Sequence, residues 1–537
     1  MATTQITKEN EDETDEVDIL IIGAGPTGLG AAVRLQQHIN DGKCNNNYLL
    51  IDAFDEPGGL ASTFKTKEHF YFDLGGHVIF SHYTYFDDML QCAMGAQFDD
   101  TEVWARHERV SYVYIKGAFV PYPLQLNLSQ LSDVNDRVDC INGLVEARVE
   151  RAKHLNNGSP PANFDEWMKQ QMGMGLYNLF MKPYNFKVWA YPATEMQCSW
   201  LGQRVAQVGD NTARVISNVL KNEVEVGWGP NAVFHFPQNG GTGAIWKAVA
   251  ERFIPTERKV FGCKVVGIDA ANQIVKCLHG DKKLRFRYKK IITTMPLDVT
   301  LKFVSDKYSP FANRLKYSSS HIVGIGVRGE ALHLDKKCWL YYPESNCPFY
   351  RCTIFSHYAA NNVPSANILL KTIRFADGNR CKDISSQNDE EAKPGPYFSL
   401  MFEVSSSTQF KNLPSDKSED VINDVIQGAL NTCLLSAQDE IVSVFYKRLE
   451  RGYPTPHIDR DKVLDSVLTD LKAQKILSRG RFGSWKYEVA NQDHSVMQGV
   501  EAIDSILFDS KEVTLEIPDE VNSTGKRTNI RFQWPGL

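Results

Sequence analysis

The 537-residue sequence lacks any hydrophobic run that is long and apolar enough to span a bilayer, so we expect no transmembrane helix. Its first 18 residues lack the apolar core of a secretory signal peptide. The 11 cysteines are an odd number and form no C-x-x-C pair, a pattern typical of a reducing compartment and not of structural zinc. Together these absences predict a cytoplasmic protein with no metal site and no membrane partner.

The body of the chain also carries little net charge. Residues 1–18 carry seven acidic residues and one lysine, and their net charge of -6 equals the formal net charge of the whole chain. We therefore expect residues 1–16 to form a disordered acidic tail and the folded body to be close to neutral. A near-neutral body offers no extended basic surface, so we expect no nucleic-acid partner.

The start of the folded chain has the pattern of a dinucleotide-binding βαβ unit. Residues 17–22 read as a buried strand, an amphipathic helix follows, and the second strand, Tyr48–Ile51, ends in Asp52. Between the first strand and the helix lies a G-x-G-x-x-G motif made of Gly23, Gly25 and Gly28. Such glycines let the backbone approach a pyrophosphate, the helix N-terminus offers it free N–H groups, and the acid accepts from a ribose hydroxyl. The combination predicts a bound dinucleotide.

Two more glycine-rich segments follow this unit. Gly58-Gly59-Leu60 comes just after Asp52, and Gly75-Gly76-His77 comes later. Because glycine has no Cβ, a flat ring can lie close to its backbone. Repeated glycine contacts beyond the first βαβ unit favour a permanently held FAD over a nicotinamide cofactor that comes and goes. The alternative, that these segments are ordinary loop turns, stays open at this point.

Several later segments combine arginine with aromatic residues. They are residues 200–204, 339–351 and 479–487, and residues 452–456 form a rigid turn that presents Tyr453. Guanidinium groups match the oxygens of a diphosphate in pairs, and aromatic rings suit a sugar or a base. Taken singly, each arginine could instead be a surface ion pair and each aromatic residue part of the core. From the residues alone, both interpretations stay open.

Three longer motifs resemble those of one enzyme family. Residues 75–83 (GGHVIFSHY), 185–190 (NFKVWA) and 480–485 (GRFGSW) resemble the eukaryotic, fungal-type UDP-galactopyranose mutases, and the similarity runs from about residue 17 to 515. The resemblance implies a FAD-dependent isomerase that interconverts UDP-galactopyranose and UDP-galactofuranose by attack of reduced flavin N5 on the anomeric carbon. It implies that NADPH reduces the flavin in the same cleft, and that the product supplies galactofuranose for glycan or cell-surface biosynthesis. Members of the family differ in oligomeric state, so a homo-oligomer stays open.

The resemblance also implies a mixed α/β fold with three parts. A discontinuous Rossmann-like FAD-binding domain takes residues 17–90, about 240–300 and 478–515. An inserted helical domain takes about 125–225, and an antiparallel β-sheet substrate domain takes about 100–124, 226–239 and 301–477. The remaining ends, 1–16 and 516–537, are expected to be tails. Apolar spacing predicts helices over residues 163–174, 200–220 and 495–507.

The resemblance assigns roles to individual residues. The expected catalytic residues are His77, whose loop lies at flavin N5, and Arg204 and Arg351, which clamp the diphosphate. The expected cofactor-binding residues are Gly23, Gly25, Gly28, Asp52, Gly59, Leu60, Gly75, Gly76, His77, Arg481, Asn491 and Gln492. The expected substrate-binding residues are Tyr122, Gln125, Phe180, Asn185, Trp189, Arg204, Asn231, Trp339, Tyr341, Arg351, Tyr453 and Tyr487. One departure, Leu124 where fungal relatives have phenylalanine, predicts a weaker stacking contact in the uridine loop.

Two other functions stay open from the sequence alone. A flavin amine oxidase shares the general FAD architecture but would oxidise its substrate, and two phosphate-binding arginines in the pocket argue against it. A protein that binds FAD or a UDP-sugar without catalysis would retain UDP and turn over nothing.

Overall fold

The structure, a computed structural model, describes residues 14–154, 160–208, 211–377, 391–415, 417–523 and 525–534. Most of the predicted acidic tail, residues 1–13, lies outside the described residues, as do the last three residues of the predicted C-terminal tail. The fold is mixed α/β and is built on two large sheets, which confirms the predicted class. Across the described ranges, no helix combines the length and the apolarity that crossing a membrane requires.

The strands and helices of the described residues are as follows. The strands are β1 (Asp15–Ile22), β2 (Tyr48–Ile51), β3 (Thr63–Lys65), β4 (Tyr71–Asp73), β5 (Trp104–Glu108), β6 (Ser111–Ile115), β7 (Ala118–Pro121), β8 (Val233–Pro237), β9 (Lys259–Val260), β10 (Cys263–Asp269), β11 (Ile274–His279), β12 (Lys282–Thr293), β13 (Tyr317–Arg328), β14 (Trp339–Tyr341), β15 (Arg351–Ile354), β16 (Arg374–Phe375), β17 (Tyr397–Ser406), β18 (Glu440–Pro454) and β19 (Ile476–Ser478). The helices are α1 (Pro26–Asn40), α2 (Thr84–Met94), α3 (Val134–His154), α4 (Phe164–Leu176), α5 (Lys182–Trp189), α6 (Thr212–Lys221), α7 (Gly241–Phe253), α8 (Leu297–Val304), α9 (Ser309–Ala312), α10 (Ser418–Asn431), α11 (Arg460–Ala473), α12 (Gln492–Phe508), α13 (Val513–Glu516) and α14 (Pro518–Ser523).

The predicted βαβ start forms the centre of a seven-stranded sheet. The strand order is β10-β11-β12-β1-β2-β9, with β19 beside β12, and β1 pairs in parallel with both β2 and β12. Leu20 and Ile21 point to opposite faces of β1 and are both fully buried. A strand buried on both faces is typical of a parallel sheet that helices cover on each side.

Helices α1 and α12 pack over this sheet at a distance that only glycine permits. A Cβ on Gly30 would lie 2.6 Å from the Val496 carbonyl oxygen, and a Cβ on Gly499 would lie 2.0 Å from the Thr27 carbonyl oxygen. Helix α12 begins at Gln492, earlier than the predicted residue 495. The close packing holds α12 against the nucleotide-binding half of the molecule.

The second large sheet has eight strands in the order β16-β18-β13-β17-β15-β14-β6-β7. Its pairings are antiparallel except that β14 runs parallel to β6, so the predicted antiparallel sheet is not wholly antiparallel. A Cβ on Gly324 would lie 2.6 Å from the Phe72 ring, and a Cβ on Gly326 would lie 2.7 Å from the Phe70 ring. Two glycines in β13 therefore make room for aromatic rings of the segment around β4, which seats the second sheet against the first half of the chain.

Helices α3 to α6 make up the region predicted to be helical. Helices α3 and α4 cross so closely that a Cβ on Gly173 would lie 2.0 Å from the Gly143 carbonyl oxygen. The prediction of one helix over residues 200–220 is wrong in its first half, where residues 202–204 form only a short 3-10 turn and α6 begins at Thr212. Gly202 has a φ of 36°, and the chain turns there.

Both ends of the folded chain extend beyond their predicted bounds. Strand β1 begins at Asp15 because Asp15 and Glu16 continue the ladder with β12. Near the C-terminus, the Phe532 ring packs 5.2 Å from the Phe253 ring. The Arg527 N–H also donates a hydrogen bond of 2.7 Å to the His82 carbonyl oxygen, so this segment is part of the folded body.

Candidate active site

The G-x-G-x-x-G turn connects β1 to α1. Gly23 has a φ of 103°, and a Cβ on Gly28 would lie 1.7 Å from the Gly23 carbonyl oxygen, so Gly28 lets the helix pack on the turn. Around Gly25 the nearest atoms to a Cβ are 3.8 Å away, which leaves its backbone open to the cleft. Helix α1 begins with no side-chain cap and no acid in its first turn, so its free N–H groups can face an anion.

Asp52 ends β2 beside this turn. Its carboxylate accepts hydrogen bonds from the Ala24 N–H at 2.5 Å and the Phe54 N–H at 2.8 Å. Burial raises the pKa of Asp52, and the two backbone donors oppose that shift. The next glycine segment is tied to the same turn, because the Gly58 N–H donates to the Ala24 carbonyl oxygen at 2.9 Å and Gly59 has a φ of 54°. This wall of backbone fits the flat, phosphate-linked body of a dinucleotide.

One cleft of about 1530 Å³ runs from the glycine turn to the second sheet. Pockets for one small ligand usually measure about 300–1,000 Å³, so this cleft has room for a dinucleotide and a second ligand. The predicted site residues that line it are Gly23, Gly25, Asp52, Gly59, Leu60, Gly75, Gly76, His77, Tyr122, Arg204, Asn231, Tyr341, Arg351, Tyr453, Arg481, Tyr487, Asn491 and Gln492.

Six predicted site residues are not part of the cleft wall: Gly28, Gln125, Phe180, Asn185, Trp189 and Trp339. Two of these six support tyrosines that do line it. The Trp339 Nε1–H donates to the Tyr341 hydroxyl at 2.6 Å, and the Trp189 ring packs edge-on against the Tyr487 ring at 4.8 Å. Trp189 and Trp339 therefore pack outside the cleft wall and orient Tyr487 and Tyr341, which line it.

The resemblance implies that Tyr122, Gln125, Phe180 and Asn185 hold the uridine. Tyr122 lines the cleft, and the other three are buried close to the helical region. Gln125 donates to the Ala206 carbonyl oxygen at 2.9 Å, and Asn185 donates to the Met181 carbonyl oxygen at 2.7 Å. The Phe180 ring stacks on Tyr184 with centroids 5.1 Å apart. Leu124, the departure noted in the uridine loop, is fully buried.

His77 lies in the loop between β4 and α2, with a quarter of its side chain exposed. Its Nδ1 atom lies 3.9 Å from the Asp73 carboxylate. Burial lowers the pKa of His77 to about 4, while Glu403 opposes the shift and Arg351 and Arg481 strengthen it. The His77 imidazole is therefore neutral at physiological pH.

Glu403 connects the His77 loop to Arg351, and the sequence reasoning missed it. The Arg351 guanidinium donates to both carboxylate oxygens, at 2.7 and 2.9 Å. The same carboxylate accepts from the Gly76 N–H at 2.9 Å and from the Tyr350 hydroxyl at 2.6 Å. Burial works against the charge on Arg351, but Glu403 raises the pKa of Arg351 well above its ordinary value. Arg351 is thus a fixed, permanently charged group at the cleft wall.

Arg204 approaches the cleft from the opposite, helical side. Its Nη1 donates to the Asn491 side-chain oxygen at 2.9 Å, and its Nη2 donates to the Glu488 carbonyl oxygen at 3.0 Å. The guanidinium lies 4.5 Å from the centre of the Tyr487 ring. Because both hydrogen bonds end on uncharged oxygens, its positive charge stays available to an anion in the cleft.

Arg481 lies between two tyrosines in the same wall. Its guanidinium is 4.8 Å from the Tyr453 ring centre and 5.4 Å from the Tyr487 ring centre. Burial lowers the pKa of Arg481, the two tyrosines oppose that shift, and nearby Arg204 adds to it. A cleft that collects buried positive charge in this way favours an anionic ligand with several oxygens.

Asp493, in the first turn of α12, holds the far end of the His77 loop. Its carboxylate lies 2.7 Å from His82 Nδ1 and accepts from the His82 N–H at 2.9 Å. Burial opposes ionisation, but the neighbouring histidines lower the pKa of Asp493 below its ordinary value. Ligand atoms of His82, Asp493 and His494 lie within 4.8 Å of one another, a grouping that the sequence analysis did not anticipate. Together, Glu403 and Asp493 hold the loop that carries His77 from both ends.

Arg109 is a second cleft residue that the sequence reasoning missed. It donates to the Asn231 side-chain oxygen at 2.6 Å and lies 5.2 Å from the centre of the Tyr122 ring. Both neighbours are predicted substrate-binding residues of the cleft wall. Arg109 therefore orients two of the predicted contacts.

Two comparisons with known proteins show the domain type and the family. A family model described as an NAD(P)-binding Rossmann-like domain matches residues 21–93, which include the glycine turn and Asp52. A solved structure, of reduced UDP-galactopyranose mutase, is 40% identical with a TM-score of 0.82, over 96% of this chain and 99% of that one. The chain belongs to the UDP-galactopyranose mutase family.

Members of other families share the fold at much lower identity. A putative protoporphyrinogen oxidase from Exiguobacterium sp. 255-15 is 14% identical with a TM-score of 0.63, over 93% of this chain and all of that one. A putrescine oxidase bound to putrescine is 13% identical with a TM-score of 0.58, over 92% of this chain and all of that one. Similarity at this level of identity shows only a shared fold. The substrates of these oxidases therefore cannot be assigned to this chain.

Proposed function

We propose that the protein interconverts UDP-galactopyranose and UDP-galactofuranose with reduced FAD bound in its cleft. The observation that carries this proposal is the meeting of Arg204, Arg351 and Arg481 with tyrosines in the cleft that begins at the dinucleotide-binding turn. Guanidinium groups and tyrosine hydroxyls are the donors that a diphosphate requires. Their place along the same cleft supports a nucleotide sugar that reacts next to a flavin.

The residues of the first half of the chain fit FAD. The open backbone at Gly25 and the uncapped N-terminus of α1 suit the pyrophosphate, and Asp52 suits the adenosine ribose. The segments at Gly59 and Gly75 would lie along the flavin ring. When bound and reduced, FAD supplies a nucleophilic nitrogen, N5, for the anomeric carbon of the sugar.

The second half of the cleft would bind the UDP part of the substrate and stabilise it as a leaving group. Arg351 is already oriented by Glu403, so it meets the diphosphate at little further cost in side-chain entropy. Arg204 approaches from the helical side, and Tyr453 and Tyr487 donate hydroxyl groups between the two arginines. Charge that develops on the departing phosphate is then met by donors that are already in place.

The His77 loop would connect the two halves of the cleft. The Gly76 N–H bonds to the carboxylate that also holds Arg351, so a shift of the loop changes the surroundings of the diphosphate-binding arginine. Neutral His77 adds no further positive charge beside the flavin. We infer that this loop adjusts to the redox state of the flavin, as the resemblance implies.

We also propose that NADPH reduces the flavin from within this cleft. The arginines that suit UDP suit the diphosphate of NADPH equally, and the volume supports one dinucleotide besides FAD. UDP should then slow flavin reduction by NADPH competitively in stopped-flow absorbance traces. Reduction rates that do not change at saturating UDP would refute a shared site. The eukaryotic type and a supply of galactofuranose for glycan synthesis belong to the same proposal and rest on the three resembling motifs. A cytoplasmic location is also proposed, and it rests on the cysteine pattern.

The test of the main proposal is a conversion assay. Purified protein is incubated with UDP-galactofuranose, with and without dithionite, and the nucleotide sugars are separated by chromatography. The proposal expects UDP-galactopyranose to form only under reducing conditions. UDP retention without conversion in either redox state would favour a binding protein, and flavin bleaching by an added amine would favour an oxidase.

A further inference from the structure

A buried lysine and a buried cysteine meet away from the cleft. Lys187 in α5 is 8% exposed, and Cys347, in the loop between β14 and β15, is 4% exposed. The Lys187 Nζ atom lies 3.4 Å from the Cys347 Sγ atom. Neither residue is part of the cleft wall described above.

The surroundings of this lysine are unusual for a buried charge. Its Nζ donates to the carbonyl oxygens of Glu344 at 2.7 Å and of Cys347 at 2.9 Å. Among the described residues, no carboxylate forms an ion pair with it, although buried lysines are normally paired. Burial lowers the pKa of Lys187, which increases the fraction of free amine. The free amine can accept the thiol proton of Cys347, which gives the thiolate that attacks peroxide.

The sulfur is oriented toward the amine. The Cys347 Sγ–H group points to the Phe349 carbonyl oxygen at 3.5 Å, which leaves lone pairs of the sulfur facing Lys187. A second lysine, Lys411, donates to the Lys187 carbonyl oxygen at 3.2 Å and so fixes the end of α5. The lysine and the cysteine are therefore held together before any reaction takes place.

We propose that Lys187 and Cys347 are the site of an oxidative covalent cross-link in which one oxygen atom bridges nitrogen and sulfur. The oxidant is hydrogen peroxide. In the first step the Cys347 thiolate takes one oxygen from peroxide, the O–O bond breaks and hydroxide leaves, which gives a sulfenic acid. In the second step a nitrogen–oxygen bond forms between the Lys187 amine and the sulfenic oxygen, while a second peroxide accepts two electrons and two protons as water. The sum is one amine, one thiol and two peroxides giving one N–O–S bridge and three waters.

The bridge would join two parts of the molecule that are far apart in sequence. Lys187 and Cys347 are 160 residues apart, and Cys347 lies just before β15, which begins with Arg351. A covalent bond here would tie the helical region to the sheet that carries a diphosphate-binding arginine. Closing so long a loop restricts the unfolded chain, so the oxidised protein should unfold at a higher temperature.

The test is a peptide map of the full-length holoprotein, and it needs no enzymatic activity. The protein is treated with hydrogen peroxide, quenched with catalase, alkylated after denaturation and digested with trypsin. The expected product is about 14 Da heavier than the reduced protein, because one oxygen is gained and two hydrogens are lost. The peptides that contain Lys187 and Cys347 should be joined, trypsin should fail to cut after Lys187, and dithiothreitol should separate them.

Four variants sharpen this map. Lys187→Arg and Cys347→Ser should lose the product, whereas the neighbouring changes Lys411→Arg and Cys352→Ser should keep it. If a variant does not fold, the wild-type map decides alone. Oxygen added only to Cys347 (about 16 Da or a multiple), a product about 2 Da lighter, or no change would each overturn the oxygen bridge.

Discussion

The two ends of the cleft, which we assign to the cofactor and to the substrate, are built in opposite ways. The cofactor end comes from one short βαβ unit, and its walls are largely glycine backbone, as at Gly23 and Gly59. The substrate end gathers charged and aromatic side chains from four distant segments, around Arg204, Arg351, Tyr453 and Arg481. The cofactor end depends on residues without side chains. The substrate end depends on side chains that are far apart in sequence and close in the fold. The two ends should therefore respond differently to substitution.

The largest expected effect is at the substrate end. Arg351→Ala should lower kcat/KM for UDP-galactofuranose by about 30- to 1,000-fold, since one charge-assisted contact to a developing charge is worth about 2–4 kcal/mol. Flavin content should stay unchanged. The control is Arg106→Ala, which removes an arginine whose side chain is 56% exposed on β5 and which should leave turnover intact. Turnover of Arg351→Ala within a factor of three of the wild type (roughly the size of a surface effect) would contradict the diphosphate role.

At the cofactor end, two alanine substitutions should separate packing from ligand approach. Gly28→Ala meets the Gly23 carbonyl at 1.7 Å and should lower the free energy of unfolding of the apoprotein by about 2–3 kcal/mol. Gly25→Ala has room in the apoprotein and should change its stability by less than about 1 kcal/mol, yet weaken FAD binding. Urea unfolding and flavin titration measure the two effects. Gly267→Ala, with no atom within 4 Å of its Cβ, is the matched control. Equal FAD affinity in Gly25→Ala and Gly267→Ala would be evidence against pyrophosphate at the turn.

A smaller effect is expected where the two ends meet. Glu403→Gln removes the charge that fixes Arg351 and weakens the hold on Gly76, so kcat/KM should fall by about 10-fold, or roughly 1–2 kcal/mol. Steady-state kinetics at saturating FAD measure the loss. Glu450→Gln, whose side chain is 66% exposed at the cleft, should behave as the wild type. If both variants match the wild type, Glu403 does not position the arginine.

The smallest effect concerns pH and His77. The pKa of His77 is lowered from 6.5 to about 4 in the folded state. Between these two pH values the unfolded chain binds a proton at His77 and the folded protein does not. The stability that this neutral histidine contributes is present above pH 6.5 and is lost as the pH falls toward 4. Between pH 7.5 and about 5.8, apo wild type should therefore lose about 1 kcal/mol more than apo His77→Gln in urea unfolding. Parallel pH profiles of the two proteins would show that His77 keeps its ordinary pKa.

Sequence reasoning predicted the cofactor end well because its information is local. The βαβ unit consists of consecutive elements, β1, α1 and β2, and Asp52 follows directly. Each of these features can be predicted from a short stretch of sequence. The prediction of a helix over residues 200–220 was wrong at its start. The chain turns at Gly202 and forms only a short 3-10 turn up to Arg204, although the apolar spacing there is helical. Glu403 was missed because its three partners come from two other segments. One signal was available: it is a lone carboxylate in β17, an otherwise uncharged strand.

The most direct test of the account is a UDP titration of two proteins, the wild type and Arg204→Ala/Arg351→Ala, each with its flavin bound. We predict that Kd for UDP rises by at least about 30-fold in the double variant, while the flavin absorbance per protein stays the same. That result would show that separate residues build the two ends of one cleft. An unchanged Kd for UDP would contradict the central claim that arginines from distant segments hold the diphosphate.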